Sequence, residues 1–175
     1  MKNNIYTLVL LITAILFVAC KKDKIEYKND FNRSYRAWQE FKTSSDNSYR
    51  YKQIWGSWTG SSTEVTVTVK SGKVVHRAYV AKRLNHDTQP PKIEVYAQWE
   101  ENESNLNAHS DLGVSLTLDE IYEKAREEWL KKRSDAKVYF EANNNGLISS
   151  CGFVPDNCAD DCFNGIKISL IEKIQ

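Results

Sequence analysis

The chain has 175 residues, of which 41% are hydrophobic and 27% are charged, and its formal net charge is +1. A nearly neutral chain has no basic excess to attract nucleic acid and no acidic excess of the kind that favours disorder. Its length is that of one domain, which buries about 68–70% of the surface that the unfolded chain exposes.

The N-terminus has the pattern of an export signal. Lys2 is followed by an almost unbroken apolar segment, residues 5–18, whose 14 residues are fewer than the about 20 that a membrane-spanning helix needs. Residues 17–19 read Phe-Val-Ala before Cys20, which resembles a lipobox. We therefore predict a lipoprotein signal peptide over residues 1–19, cleavage before Cys20 and acylation of that cysteine by a fatty acid such as palmitate. The alternatives are an uncleaved anchor and an ordinary secretory signal with an incidental cysteine.

Lipidation would hold the mature chain on a membrane. Two or more acyl chains anchor a protein stably, because each buried methylene adds about 0.8 kcal/mol. Removal of residues 1–19 leaves 156 residues with 23 Lys+Arg and 23 Asp+Glu, so the mature side chains are net neutral. Lys21 rather than Asp follows the cysteine, which by resemblance to Gram-negative lipoproteins indicates the outer membrane. Residues 20–29 are predicted to be the lipidated cysteine and tether, and residues 30–175 a single domain.

Helical and strand patterns alternate along the mature chain. Apolar residues recur at helical spacing from Asp30, the predicted N-cap, to about Lys42, and again over residues 118–132 after a capping box of Thr117 and Glu120. Alternation with period two predicts strands at residues 49–54, 64–70, 73–81, 93–99, 137–142, 147–153 and 166–171. Strands joined by tight turns pair antiparallel. The prediction is a two-layer α+β fold, in which an antiparallel sheet (a meander plus C-terminal hairpins) packs two helices on one face.

The turn at Ser71-Gly72 leaves the register of the next strand open. A two-residue turn places His76 opposite Val67, whereas a three-residue turn places Val75 there and puts Gly72 at positive φ in a bulge. We prefer the three-residue turn.

Several short motifs follow one another in a fixed order along the mature chain. Trp38 in the first helix is followed by Tyr49-Arg-Tyr51, by the strand pair of residues 67–75, by the capped second helix and by a closing hairpin with Gly146. This order resembles a group of uncharacterised small bacterial lipoproteins that share a domain of unknown function. The resemblance implies an α+β domain with a lipid anchor and brings no catalytic residues. The closing hairpin of that group often reads Tyr-Gly-Tyr-Pro, where this chain has Asn-Gly-Leu-Ile at residues 145–148.

Three cysteines remain once Cys20 carries lipid: Cys151, Cys158 and Cys162. An oxidising compartment favours one disulfide and one free thiol, with three possible pairings. A bond between Cys158 and Cys162 would constrain little, whereas a Cys151–Cys162 bond would clip the base of the return loop and contribute about 2–3 kcal/mol. We predict the Cys151–Cys162 pairing. The rival hypothesis is a three-thiolate metal site completed by a histidine.

The same loop is acidic. Asp156, Asp160 and Asp161 offer oxygen ligands that could hold Ca²⁺ outside the cytoplasm, although their spacing is not that of an EF-hand. The alternative, which we prefer, is that they are solvated turn residues and that the chain binds no cofactor. A histidine metal site would need side chains that lie far apart in the sequence: His76, His86 and His109.

Two tryptophans are candidates for a ligand-binding surface. Trp38, Trp99 and Trp129 fall on predicted inward stripes, whereas Trp55 and Trp58 lie in or beside a Gly/Ser/Thr loop. An exposed pair could stack on a ligand, and packing over the sheet edge is the alternative that we prefer.

Common enzyme motifs are absent from the sequence: it has no nucleophile elbow, no His-Glu-x-x-His, no phosphate loop and no dinucleotide fingerprint. We therefore predict a binding or structural module of the cell envelope, anchored by lipid, whose partner is an envelope protein or another envelope component and not nucleic acid. The alternative is a metal-dependent or hydrolytic envelope enzyme whose site is built from scattered residues.

Overall fold

The computed structural model describes residues 25–160 and 162–174, so the predicted signal peptide, Cys20 and the first part of the predicted tether lie outside it. Helix α1 spans Lys28–Ser44, and helix α2 spans Leu118–Lys124 and continues in a π-helical turn, Ala125–Trp129. The strands are β1 (Tyr49–Gly56), β2 (Ser62–Lys70), β3 (Lys73–Asn85), β4 (Lys92–Asn102), β5 (Ala136–Glu141), β6 (Ser150–Pro155) and β7 (Asn164–Lys173). None of the described helices is long and apolar enough to cross a membrane.

The seven strands form one antiparallel sheet in the order β4-β3-β2-β1-β7-β6-β5. Strands β1 to β4 are the predicted meander. Strand β7 has two neighbours in succession: its N-terminal part pairs with β6, and its C-terminal part pairs with β1. The predicted α+β class and antiparallel sheet are therefore confirmed, and β7 is the strand that joins the meander to the C-terminal hairpin.

The core forms where aromatic side chains of both helices meet β1. Trp38 of α1 is fully buried, its ring stacks on Tyr122 of α2 with centroids 6.1 Å apart, and it meets Tyr49 of β1 edge-on at 5.3 Å. The Tyr49 hydroxyl accepts a hydrogen bond from the Leu118 backbone N–H at 2.8 Å. Burial raises the pKa of Tyr49 far above its usual value, so the hydroxyl stays protonated inside the core.

The first helix begins earlier than the sequence predicts. It starts at Lys28 after an N-cap at Tyr27, so Asp30 lies in the first turn and is not the N-cap. Ile25 forms an isolated β-bridge with Lys131, which fixes the chain in front of the helix. Ordered backbone pairing thus reaches into the segment predicted to be tether.

The capping box at the start of α2 is confirmed. The Glu120 backbone N–H donates to Thr117 Oγ1 at 3.3 Å, and the Glu120 carboxylate accepts from the Thr117 backbone N–H at 2.7 Å. The helix stops at Trp129 rather than at residue 132, and its last turn is widened: the Leu130 N–H donates to the carbonyl of Ala125 in a π-type bond.

Neither of the two registers considered for the β2–β3 hairpin is correct. The turn has two residues, Ser71 and Gly72, with φ of 47° and 77°. A β-bulge then shifts the register, so that Arg77 lies opposite Val67, and His76 moves to the next pair. The bulge therefore places an arginine, rather than a histidine or a valine, beside the buried face of β2.

Candidate functional site

The sheet opens between β1 and β7. Their pairing stops at Gln53 and Ile168, beside a β-bulge, and residues 164–167 of β7 pair with β6 instead. Strand β1 continues to Gly56 with β2 as its neighbour. The diverging strands enclose the β1–β7 cleft, which has a volume of about 90 Å³. It is lined by Gln53, Ile54, Trp55, Gly56, Phe163, Gly165 and Lys167.

Trp55 lines this cleft, and Trp58 lies three residues further along the chain; both are exposed. Trp55 is the penultimate residue of β1, with 47% of its surface exposed, and Trp58, in the β1–β2 loop, is 81% exposed. The loop is closed by a hydrogen bond from Ser57 N–H to the Ser61 carbonyl at 2.8 Å. By contrast, Trp38 is fully buried and Trp129 is 6% exposed. Both candidate tryptophans are therefore accessible to a ligand, and a role in binding stays a prediction.

On the opposite side the cleft is lined by Phe163, which belongs to the β6–β7 loop, described at residues 156–160, 162 and 163. The Trp58 indole N–H donates to Asp160 Oδ2 at 3.1 Å, which joins the β1–β2 loop to the β6–β7 loop. Phe163 ends the loop, and the ammonium of Lys167 lies 5.2 Å from the centre of its ring. The cleft thus has an aromatic ring on each side, Trp55 and Phe163, and the cation of Lys167 in its lining.

The disulfide differs from the predicted one. The structure pairs Cys158 with Cys162, whose Cα atoms are 6.1 Å apart, and leaves Cys151 as a free thiol. The predicted Cys151–Cys162 bond is corrected because Cys151 lies on β6 opposite Ile166, with its side chain wholly inside the core. Burial raises the pKa of the Cys151 thiol to about 12, so the thiol is protonated at neutral pH.

The predicted Ca²⁺ ligands lie only in part within the described residues. Asp156 and Asp160 belong to the β6–β7 loop, and Asp161 lies outside the described residues. The Asp156 backbone N–H donates to the Asp135 carbonyl at 2.9 Å, and the Asp160 carboxylate is engaged by Trp58. Over residues 25–160 and 162–174, no three His, Cys, Asp or Glu side chains are arranged to hold a metal ion. The Ca²⁺ site stays a prediction.

A second polar cluster, which sequence reasoning missed, joins β3 to β4. Arg77 and Glu101 are directly opposite each other, and they are 2% and 1% exposed. The guanidinium donates from Nε to Glu101 Oε2 at 3.0 Å and from Nη2 to Oε1 at 2.9 Å. It also donates to the carbonyls of Gly113 at 2.7 Å and His109 at 3.0 Å. The buried arginine therefore binds the sheet and the β4–α2 loop together.

The Glu101 carboxylate binds the same loop. It accepts hydrogen bonds from the backbone N–H groups of Asn107 and His109, both at 2.8 Å, and lies 2.9 Å from Nδ1 of His109. The bonds from Arg77, with those from His109 and Asn107, lower the pKa of Glu101 to about 2 against the opposing effect of burial. The sequence does carry a signal for this pair. Arg77 lies two residues from Tyr79 on β3, and Glu101 lies two residues from Trp99 on β4, so each charge is on the same face of its strand as an aromatic ring.

The three histidines do not come together. His109 belongs to the Glu101 cluster, where its ring stacks on Trp99 with centroids 4.0 Å apart. His76 Nε2 lies 3.5 Å from the Glu100 carboxylate, and His86 is an exposed residue between β3 and β4. The structure therefore brings the predicted Trp58 and Asp160 together and leaves the histidines apart.

Comparisons with protein-family models, with curated proteins and with solved structures give no match to this chain. Two features of the chain itself bear on its function: the lipobox-like N-terminus, and the exposed Trp58 with the β1–β7 cleft that Trp55 lines.

Proposed function

We propose that this chain is a lipid-anchored module of the bacterial cell envelope that binds an envelope partner through Trp58 and the β1–β7 cleft. The observation that carries the binding role is that Trp58 is 81% exposed while its indole N–H is held by Asp160. Large exposed aromatic rings are common at binding sites because they bury much area and lose few rotamers. A ring already fixed by a hydrogen bond loses still less freedom when a partner covers it.

The membrane anchor in this proposal is supported by the sequence. Phe-Val-Ala before Cys20 resembles a lipobox, and the apolar segment has the length of the hydrophobic region of a signal peptide. Lys21 after the cysteine favours the outer membrane. We also propose that the chain belongs to the group of small lipoproteins that share a domain of unknown function.

The arrangement of the layers is also part of the proposal. We infer that both helices pack on one face of the sheet. Tyr49 supports this inference, because its ring contacts Trp38 of α1 and its hydroxyl accepts from Leu118 of α2. The opposite face of β1 carries Arg50 and Lys52, which are paired with carboxylates near solvent.

The anchor is tested by labelling cells of the native host with an alkyne analogue of palmitate. The wild-type chain should incorporate the label, and Cys20→Ser should lose it and leave the membrane fraction. Cys158→Ser is the matched control and should keep the label. Mass spectrometry should find an acylated Cys20 as the first residue; an unmodified Cys20 or an uncut N-terminus would refute the anchor.

The binding role is tested by photocrosslinking in the same cells. A benzophenone amino acid at the exposed position of Thr59, next to Trp58, should give adducts of higher mass. Adding Trp58→Ala to that chain should remove them. The same photoreactive group at Tyr139, which is 42% exposed on β5, should give none. Equal adducts at both positions, or none at position 59, would rule out this site.

A further inference from the structure

We propose that the β1–β7 cleft takes an extended polypeptide segment, which adds as a short strand to the edge of β1 and places one apolar side chain in the cleft. This inference rests on the proposed function and names the chemical class of its partner.

Among the described residues, the edge of β1 that faces β7 is unpaired beyond Gln53. From Ile54 to Gly56 this strand pairs with β2, and its last pair on the other side is Gln53 with Ile168. The part of β7 that would continue the pairing turns away to β6, with Gly165 opposite Gly152. A strand edge without a neighbour presents N–H and C=O groups that can pair with another chain. Within the described part of the chain, no strand pairs with this side of Ile54–Gly56, and Gly165 and Lys167 of β7 face it across the cleft.

The β1–β7 cleft is small. Its volume is about 90 Å³, whereas sites that enclose a small molecule usually measure about 300–1,000 Å³. The cleft therefore lies below the range of sites that enclose a whole small molecule, and its size suits a single side chain. A small cleft beside a strand edge therefore fits a peptide with a single anchor residue better than it fits a free ligand.

The walls of the cleft are apolar and carry one cationic residue, Lys167. Ile54 and Trp55 are 38% and 47% exposed and give the cleft an apolar side. Phe163 closes the other side, and the Lys167 ammonium lies beside its ring. In strand addition the backbone supplies affinity, and pockets for alternate side chains supply specificity. We expect the bound segment to place an apolar residue between the aromatic rings and an acidic residue near Lys167.

The probe for this inference is a phage-displayed library of random heptapeptides, selected on the mature lipidated chain in detergent micelles. Enriched peptides should share one apolar position with an acidic neighbour. The best of them is then synthesised with a single N-methyl group at each backbone nitrogen in turn. In an added strand only alternate N–H groups pair with β1, so N-methylation should weaken binding at least tenfold at every second position and less than twofold between them. Failure to enrich any peptide, or the same effect at every position, overturns strand addition.

A matched pair of variants locates the binding. Ile54 lines the cleft, and Leu170 lies on β7 away from it, with the same 38% exposure. Ile54→Ser should lower the affinity for the selected peptide at least tenfold, and Leu170→Ser should change it less than twofold, with circular dichroism showing that both fold. Equal losses would overturn the site.

The crosslinking and N-methyl experiments distinguish this inference from the proposed function. If the chain crosslinks at Thr59 but the N-methyl series shows no alternation, strand addition alone is refuted; a glycan that stacks on Trp58 would give this result. Absence of the crosslink would refute the proposed function itself.

Discussion

Arg77 and Glu101 place two opposite charges in the interior between β3 and β4. Burial of an ion pair costs several kcal/mol per ion, and the loss is recovered only when the remaining donors and acceptors are also satisfied. Here the β4–α2 loop supplies those partners, through two backbone N–H groups, two carbonyls and the His109 ring. The pair therefore holds a loop that contains little regular structure of its own.

Glu101→Gln should destabilise the protein by about 3–5 kcal/mol at neutral pH, because it leaves the buried Arg77 without its counter-charge. The charge of Glu101 also makes stability depend on pH. Its pKa is about 2 in the folded protein and 4.5 is its ordinary value, so its contribution is complete above about 4.5 and declines as pH falls towards 2. Urea unfolding at pH 7, 4 and 3 should show this decline in the wild type and a smaller one in Glu101→Gln.

Glu100→Gln is the control for this measurement. The Glu100 side chain is 75% exposed, so its substitution should change the free energy of unfolding by no more than about 0.5 kcal/mol. If Glu101→Gln were as mild as the control, or if it kept the full acid dependence of the wild type, the buried pair would not be what holds the loop.

At the scale of elements, the strands of the meander and the start of α2 could be predicted because each has a local pattern. Alternation of apolar residues identifies Tyr49 and Tyr51 as inward, and the Thr117–Glu120 spacing identifies a helix start. Registers could not be predicted in this way. A bulge adds one residue without a sequence pattern, and one such bulge is enough to put Arg77 where the alternation expected another residue.

The candidate site was predictable only in its local part. A Gly/Ser/Thr loop is typical of the surface, which explains why Trp55 and Trp58 could be chosen as candidates. The bond from Trp58 to Asp160 spans 102 positions of sequence, and the cleft depends on where β7 leaves β1. Both are consequences of the strand order, and no local pattern encodes that order.

Strands β6 and β7 approach each other closely at two facing glycines. A Cβ atom added at Gly165 would overlap the Cys151 carbonyl oxygen and the Cα of Gly152. Gly165→Ala should therefore force these strands apart and destabilise the protein by about 3 kcal/mol, at the upper end of typical overpacking costs. Equilibrium denaturation measures this loss. Gly56→Ala is the control, since its new Cβ would lie 3.9 Å from the Ser61 carbonyl oxygen, an ordinary van der Waals contact, and should change stability by less than about 1 kcal/mol. Equal stability of the two variants would contradict the close approach.

At the scale of the whole molecule, β7 is the connection on which the sheet depends. In the order β4-β3-β2-β1-β7-β6-β5, strand β7 lies between β6 and β1, the strand at the near edge of the meander. Its residues Ile166, Ile168 and Ile171 are also buried in the core. Without β7, a four-stranded meander and a two-stranded hairpin would remain, and an isolated hairpin is marginally stable at best in water.

A chain that ends at Phe163 should therefore fail to unfold cooperatively, although it keeps both helices and six of the seven strands. The expected result is loss of the sigmoidal urea transition and rapid hydrogen exchange of backbone amides in β1, because that strand loses its pairing from Tyr49 to Gln53. Adding a synthetic peptide of residues 164–175 should restore protection in β1 and β6 together, since the two halves of the peptide pair with different strands.

The control replaces residues 86–91, between β3 and β4, by Asn-Gly. This change lies at an exposed turn and should preserve the urea transition. A cooperative transition in the truncated chain would show that the meander and helices fold without β7, and the cleft would then be a junction between two independent units rather than an opening within one sheet.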